Sequence, residues 1–179
     1  MYKLRLTPLQ QDILRLLFVK VGMPLNARNI ANLLKVSQPA VSKALPYLQK
    51  SDLIQVSKDK NSKRFSIELN RNNTQTIWLK RADNLKQIYE SGLVNFIYDN
   101  FPEATVILFG SYAFGEDTTK SDIDLAVIGS KKKNIDLSKF EKNLERPIII
   151  NYFNSFKSID NHLLNNIVNG ITLKGAVDI

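Results

Sequence analysis

The stretch from Val106 to Ile128, VILFGSYAFGEDTTKSDIDLAVI, constrains this chain more than any other. Its two ends, Val106 to Phe109 and Leu125 to Ile128, are apolar runs of a length that suits buried strands. Between them stand Gly110-Ser111 and, after ten residues, Asp122-Ile123-Asp124. Glycine at the end of a strand lets backbone N–H groups approach an anion closely, and a helix starting there turns its positive end toward it. Strand alternation sets Asp122 and Asp124 on one face and Ile123 and Leu125 on the other. Two neighbouring carboxylates repel unless a cation lies between them. A phosphate cradle beside a carboxylate pair therefore predicts a site for Mg²⁺ (or Mn²⁺) with a nucleoside triphosphate as substrate.

The rest of the composition narrows the choice. At 179 residues the chain suits one domain or two small ones. It has no cysteine, which removes disulfides, thiolate zinc sites and thiol nucleophiles, and its one histidine, His162, cannot build a histidine cluster or a Ser-His-Asp triad. No apolar run reaches membrane-spanning length and the first residues lack a signal-peptide core, so the expectation is a cytoplasmic protein with no membrane partner. The net charge of +8 is carried by residues 1–70, with 12 Lys+Arg against 4 Asp+Glu, whereas residues 71–179 balance at 13 and 13. A basic segment on a neutral remainder points to a polyanion as partner of the first.

That segment reads as helices followed by a hairpin. Thr7-Pro8-Leu9-Gln10 is a capping box with proline at the first helical position, leading into the stripe Leu9, Ile13, Leu16, Leu17. A second helix begins near Asn26 with Ile30, Leu33 and Leu34 inward. Ser37 then caps a third, which carries Val41, Ala44, Leu45 and Leu48 and leaves Ser37, Gln38, Ser42 and Lys43 on the opposite side. Period-2 patterning follows in Ile54, Val56 and Phe65, Ile67, Leu69, around a basic tip from Lys58 to Arg64. The stretch IANLLKVSQPAVSKALPYL carries a resemblance to the winged helix-turn-helix of MarR-like and ArsR-like regulators. It implies double-stranded DNA as partner, with Ser37, Gln38, Ser42 and Lys43 in the major groove and Lys58, Lys60, Lys63 and Arg64 on phosphates. Pro46 departs from the pattern and is expected to bend the third helix.

The Gly-Ser…Asp-x-Asp pattern resembles the nucleotidyltransferase superfamily that includes DNA polymerase β, in particular its minimal members. Gly110, Ser111, Asp122 and Asp124 match that signature, and Gly115, Glu116, Ser121 and Leu125 fit between and after them. The resemblance implies nucleotide binding by Gly110 and Ser111, metal binding and catalysis through Asp122 and Asp124, and transfer of a nucleoside monophosphate to a hydroxyl. Minimal relatives often act as antitoxins on a toxin-like protein acceptor, and others modify small molecules; beside a DNA-binding module the resemblance implies a self-regulating, antitoxin-like role rather than drug modification.

Two departures qualify this. Phe114 stands where many relatives have arginine, and the strand expected at Ile148–Phe153 carries no third carboxylate, only Asn151 as a polar candidate metal ligand beside Ile149. Glu116, Asp117, Glu145 and Asp160 are the acids left to fill the gap. The alternative is therefore a transcriptional regulator with a degenerate, non-catalytic domain. The expected fold is α+β: a winged helix over 1–70, connecting helices over 71–102, and a small α/β domain with a mixed sheet over 103–179. In the connector, Trp78, Ala82, Leu85 and Tyr89 form an apolar stripe expected to pack on a core. It doubles as a candidate seam for a homodimer. Lys131 to Lys133 read as a solvated loop, and Phe156 to Val168 as one closing helix with Ile159, Leu163, Leu164 and Ile167 buried.

Overall fold

The structure, a computed structural model, describes residues 4–58 and 65–178. The expected phosphate contacts Lys60, Lys63 and Arg64 fall outside them. The chain divides into two compact units, Met1–Lys80 and Arg81–Ile179.

The first unit holds α1 (Pro8–Val19), α2 (Ala27–Leu34), α3 (Gln38–Lys50) and the antiparallel hairpin β1 (Ile54–Lys58) and β2 (Phe65–Leu69). Each helix starts where a side chain satisfies an orphan N–H. Thr7 and Gln10 form the reciprocal capping box of α1, Asn26 and Asn29 that of α2, and Ser37 Oγ accepts from Ala40 N at the start of α3. Leu25 adds a bridge to Ile67, giving the hairpin a third, one-residue edge. Ile13, Leu17, Ile30, Val41, Leu48, Leu53, Ile54 and Ile67 close the core. Two expected core residues are outside it: Leu33 and Phe65 are more than half exposed. Leu33 lies one position off the buried side of α2, and Phe65 begins β2 beside the basic tip, where Lys58 Nζ sits 5.9 Å from its ring centroid. Asn70 is a buried hub, donating to the carbonyl and carboxylate of Asp52 and accepting from Gln55.

The division between the units falls inside α4 (Thr74–Glu90). Here the expected apolar face is overturned at Trp78, Ala82 and Tyr89, and only Leu85 of it packs against the second unit's core. Trp78 is 66% exposed and Tyr89 50%, while Thr76, Lys80, Asn84 and Ile88, spaced by four, are the buried stripe. Polar groups tolerate burial where they find partners, and Asn84 does so twice.

The second unit continues with α5 (Leu93–Asn100), β3 (Thr105–Phe109), α6 (Gly110–Phe114), β4 (Ile123–Ile128), α7 (Ser138–Leu144), β5 (Ile148–Phe153), α8 (Asn161–Val168) and β6 (Ile171–Lys174). The sheet runs β5-β4-β3-β6, parallel between β4 and β5 and antiparallel elsewhere, which makes it mixed. Alternation splits the strand residues between two cores. Val106, Leu108, Leu125 and Val127 pack with Ile97, Phe101 and Phe140 on one face. Ile107, Phe109, Ala126 and Ile128 pack with Phe156, Ile159 and Ile167 on the other. The closing helix is broken: a 3-10 turn at Phe156–Ser158 precedes α8, whose N-cap Asp160 accepts from His162 N. Lys133 is a structural cation as well as a loop residue. With Lys174 it donates to carbonyls at the C-terminal end of α5, on Asn100 and on Phe101 and Pro102 respectively, where the helix dipole is negative. No helix among the described residues is long and apolar enough to cross a membrane.

Candidate functional site

β3 ends at Phe109, and the chain turns at once into α6, with Gly110 at φ +72. This left-handed conformation suits glycine. The antiparallel register puts Phe109 opposite Asp124, so the turn folds directly over the β4 carboxylate. A Cβ added to Gly110 would stand 2.7 Å from Asp124 Oδ2. The missing side chain is thus what lets the turn and the carboxylate share one small space. Ser111 follows on α6, half-exposed, and Asp122 lies exposed just before β4. All four residues of the predicted pattern converge at one end of β3 and β4.

Burial first, and then the neighbouring Asp122 carboxylate, push the Asp124 carboxyl above its ordinary range. A bound divalent cation reverses that logic. The donor set fits Mg²⁺, which takes one or two carboxylates and completes its shell with phosphate oxygens and water. A carboxyl whose folded-state pKa is raised stabilises the fold fully only below its unfolded value of about 4, and that contribution is lost as pH rises through the folded value. Asp124 therefore costs the metal-free protein stability at neutral pH. Asp124→Asn should melt higher than the unaltered protein at neutral pH and no higher below about pH 4, as thermal unfolding in chelator will read. A variant that melts lower at neutral pH contradicts this.

The parallel register of β4 and β5 makes Ile149 level with Asp124 and Asn151 level with Ala126. Asn151 is thus two residues, about 6.6 Å of strand, beyond the level of Asp124. The position beside Asp124 is an isoleucine, 42% exposed. Three of the other acids are placed elsewhere, and Glu116 is exposed. Asp117 is buried with Arg146 Nη2 at 3.4 Å from its Oδ2, Asp160 caps α8, and Glu145 caps the far end of α7. Among the described residues no three acidic, histidine or cysteine side chains gather to hold a metal. The pairing of Asp117 with Arg146 carries no signal in the sequence, because 29 residues separate the partners.

In the first unit, Gln38, Ser42 and Lys43 are exposed together on α3, one turn apart or adjacent. Ser37 is exposed but its hydroxyl is spent on the N-cap. α3 runs unbroken from Gln38 to Lys50 with Pro46 inside it. Lys58 is exposed at the end of β1.

Residues 6–65 match the MarR family, and residues 91–171 match the nucleotidyltransferase domain. No curated protein matches the chain. Among solved structures, the adhesin competence repressor AdcR of Streptococcus pyogenes is 24% identical, with 56% of this chain and 70% of that one covered and a TM-score of 0.44. MepR, a transcription regulator of the Staphylococcus aureus multidrug efflux pump MepA, is 27% identical over 55% and 70%, with a TM-score of 0.42. A ZitR variant of Lactococcus lactis in complex with DNA is 27% identical over 56% and 66%, with a TM-score of 0.39.

Proposed function

We propose, for a chain that joins a MarR-family winged helix to a nucleotidyltransferase domain, that it is a DNA-binding regulator whose second unit binds a nucleoside triphosphate with Mg²⁺. The observation that carries the nucleotide half is the close fit of Gly110 against Asp124, a cradle that any side chain would fill. Gly110 and Ser111 offer backbone N–H groups and a hydroxyl to phosphate oxygens, and Asp122 and Asp124 would hold the cation. That cation would neutralise phosphate charge. Transfer needs an acceptor hydroxyl made reactive by a further ligand or base. With Ile149 level with Asp124, the chain offers neither there. Binding without turnover is therefore the preferred reading.

The DNA half rests on the exposed Gln38, Ser42 and Lys43 of α3 and on the +8 charge of residues 1–70. Every phosphate that a lysine neutralises adds about 0.9 to the salt slope of binding. Lys58→Ala should flatten the slope of log affinity against log salt by about 0.9 on any duplex, whereas Lys43→Ala, at the major groove, should weaken binding chiefly to the preferred sequence, both read by fluorescence anisotropy. An unchanged slope in Lys58→Ala sinks the phosphate assignment of that lysine.

Nucleotidyl transfer stays as a second reading, supported by the presence of all four residues of the Gly-Ser…Asp-x-Asp pattern. Its test is label from an α-phosphate-tagged triphosphate appearing on a protein or small-molecule hydroxyl, and vanishing with Asp122→Asn/Asp124→Asn. Label in neither sample removes that reading.

A further inference from the structure

Three side chains of the second unit are polar, nearly fully buried and unused by the site as described: Asn84 at 5% exposure, Asp117 at 1% and Arg146 at 4%. Asn84 Nδ2 on α4 donates to the Tyr112 carbonyl at 2.9 Å and to Asp117 Oδ1 at 2.7 Å. Arg146, beyond α7, reaches Asp117 Oδ2 from the other side and the Glu145 carbonyl at 2.9 Å. An ion pair this deep is a poor means of gaining stability, since its desolvation cost rivals its attraction. What such a pair can supply is geometry, and its carboxylate belongs to one segment of the site.

That segment is residues 111–122, which join the phosphate cradle to the carboxylate pair. Asp124 needs no help, because ladder pairing on both sides of β4 holds it. Ser111 and Asp122 lie outside the ladder. The segment is braced internally by Glu116 N on the Ser111 carbonyl and by Thr118 N on Ser121 Oγ. Buried hydrogen bonds tie it to α4 at Tyr112 and Asp117 and to the end of α7 at Asp117, and the Arg81 guanidinium of α4 sits 5.7 Å from the Phe114 ring centroid. We propose that Asn84, Asp117 and Arg146 are positioning residues that set the placement of Ser111 and Asp122 relative to Asp124. This rests on the nucleotide reading of the site.

The test compares the full chain with Asn84→Ala, Asp117→Asn and, as a control from the same unit's apolar core, Ile97→Val. Mg²⁺-triphosphate affinity is measured by calorimetry at a temperature where all four are fully folded by circular dichroism. Amide hydrogen exchange is followed without ligand. The expected result is an affinity loss of about tenfold or more, equivalent to about 1.4 kcal/mol, for Asn84→Ala and Asp117→Asn. Ile97→Val, which lowers the melting temperature, should leave affinity unchanged. Exchange should speed over residues 111–122 while β3 and β4 stay protected. If Asp117→Asn does not fold, Asn84→Ala, which strands no charge, carries the comparison. Lowered melting temperature with unaltered affinity would make the cluster merely structural and overturn the proposal. If the unaltered protein binds no triphosphate, the reading of the site falls and the exchange data decide the positioning alone: faster exchange confined to 111–122 supports it, and uniform change overturns it.

Discussion

Ile149→Asp is expected to raise the affinity for Mn²⁺ by about tenfold or more and to make transfer of the nucleoside monophosphate to water or a supplied alcohol, with pyrophosphate leaving, detectable where the unaltered protein shows none. Strand register sets this expectation. Ile149 is level with Asp124 on the parallel neighbour strand, about 4.8 Å away across the ladder and on the same face. An aspartate there would complete a three-carboxylate set. Since Ile149 is 42% exposed, the substitution creates little cavity and buries no bare charge. Its cost is local: aspartate suits strands poorly, by up to about 1 kcal/mol, and three carboxylates repel when no cation is bound. The metal-free variant should therefore melt lower than the unaltered protein at neutral pH and recover with Mn²⁺. Unchanged metal affinity would show that position 149 does not face the site.

Gly110→Ala should reduce Mg²⁺-triphosphate affinity by a similar factor and lower stability by about 1–2 kcal/mol. The stability loss follows from φ +72, which an L side chain adopts at a cost. The affinity loss follows from the added Cβ, 2.7 Å from Asp124 Oδ2, which must push the carboxylate out of the cradle. Gly92→Ala separates the two effects. Gly92 has φ +79 but nothing within 4 Å of its added Cβ. It should lose comparable stability and keep nucleotide affinity. Equal affinity loss in both variants would mean that the effect of Gly110→Ala is unfolding rather than obstruction. Calorimetry and thermal unfolding on the same samples distinguish them.

What the sequence disclosed was local. The strands around Gly110-Ser111 and Asp122-x-Asp124 are legible because period 2, a turn glycine and two spaced acids lie within 23 residues. Helix starts at Thr7, Asn26 and Ser37 are legible because a cap is written within four residues of its helix. What stayed hidden depends on distant partners. The strand β6 is only four residues long, and its assignment needs β3, some sixty residues earlier in the chain. The helix α4 carries two rival stripes, and the aromatic one lost because Asn84 finds its partners at Tyr112 and Asp117. The aromatic face thus looked like the core side, while the side actually buried was written in polar letters. The same reason hid the Asp117–Arg146 pair, and with it the engagement of one acid that sequence alone leaves available to a metal. Asn151 and Ile149 share a strand face by alternation alone. Only the register with β4 says which of them stands beside Asp124.

A working nucleotide site in the second unit is tested by calorimetric titration of ATP, GTP, CTP and UTP with Mg²⁺ into the full chain and into Asp122→Asn/Asp124→Asn. Metal-dependent binding of at least one triphosphate by the unaltered protein is expected, lost in the double variant even though that variant is fully folded. Binding that survives the double substitution, or no binding of any triphosphate by the unaltered protein, would contradict the assignment of Gly110, Ser111, Asp122 and Asp124.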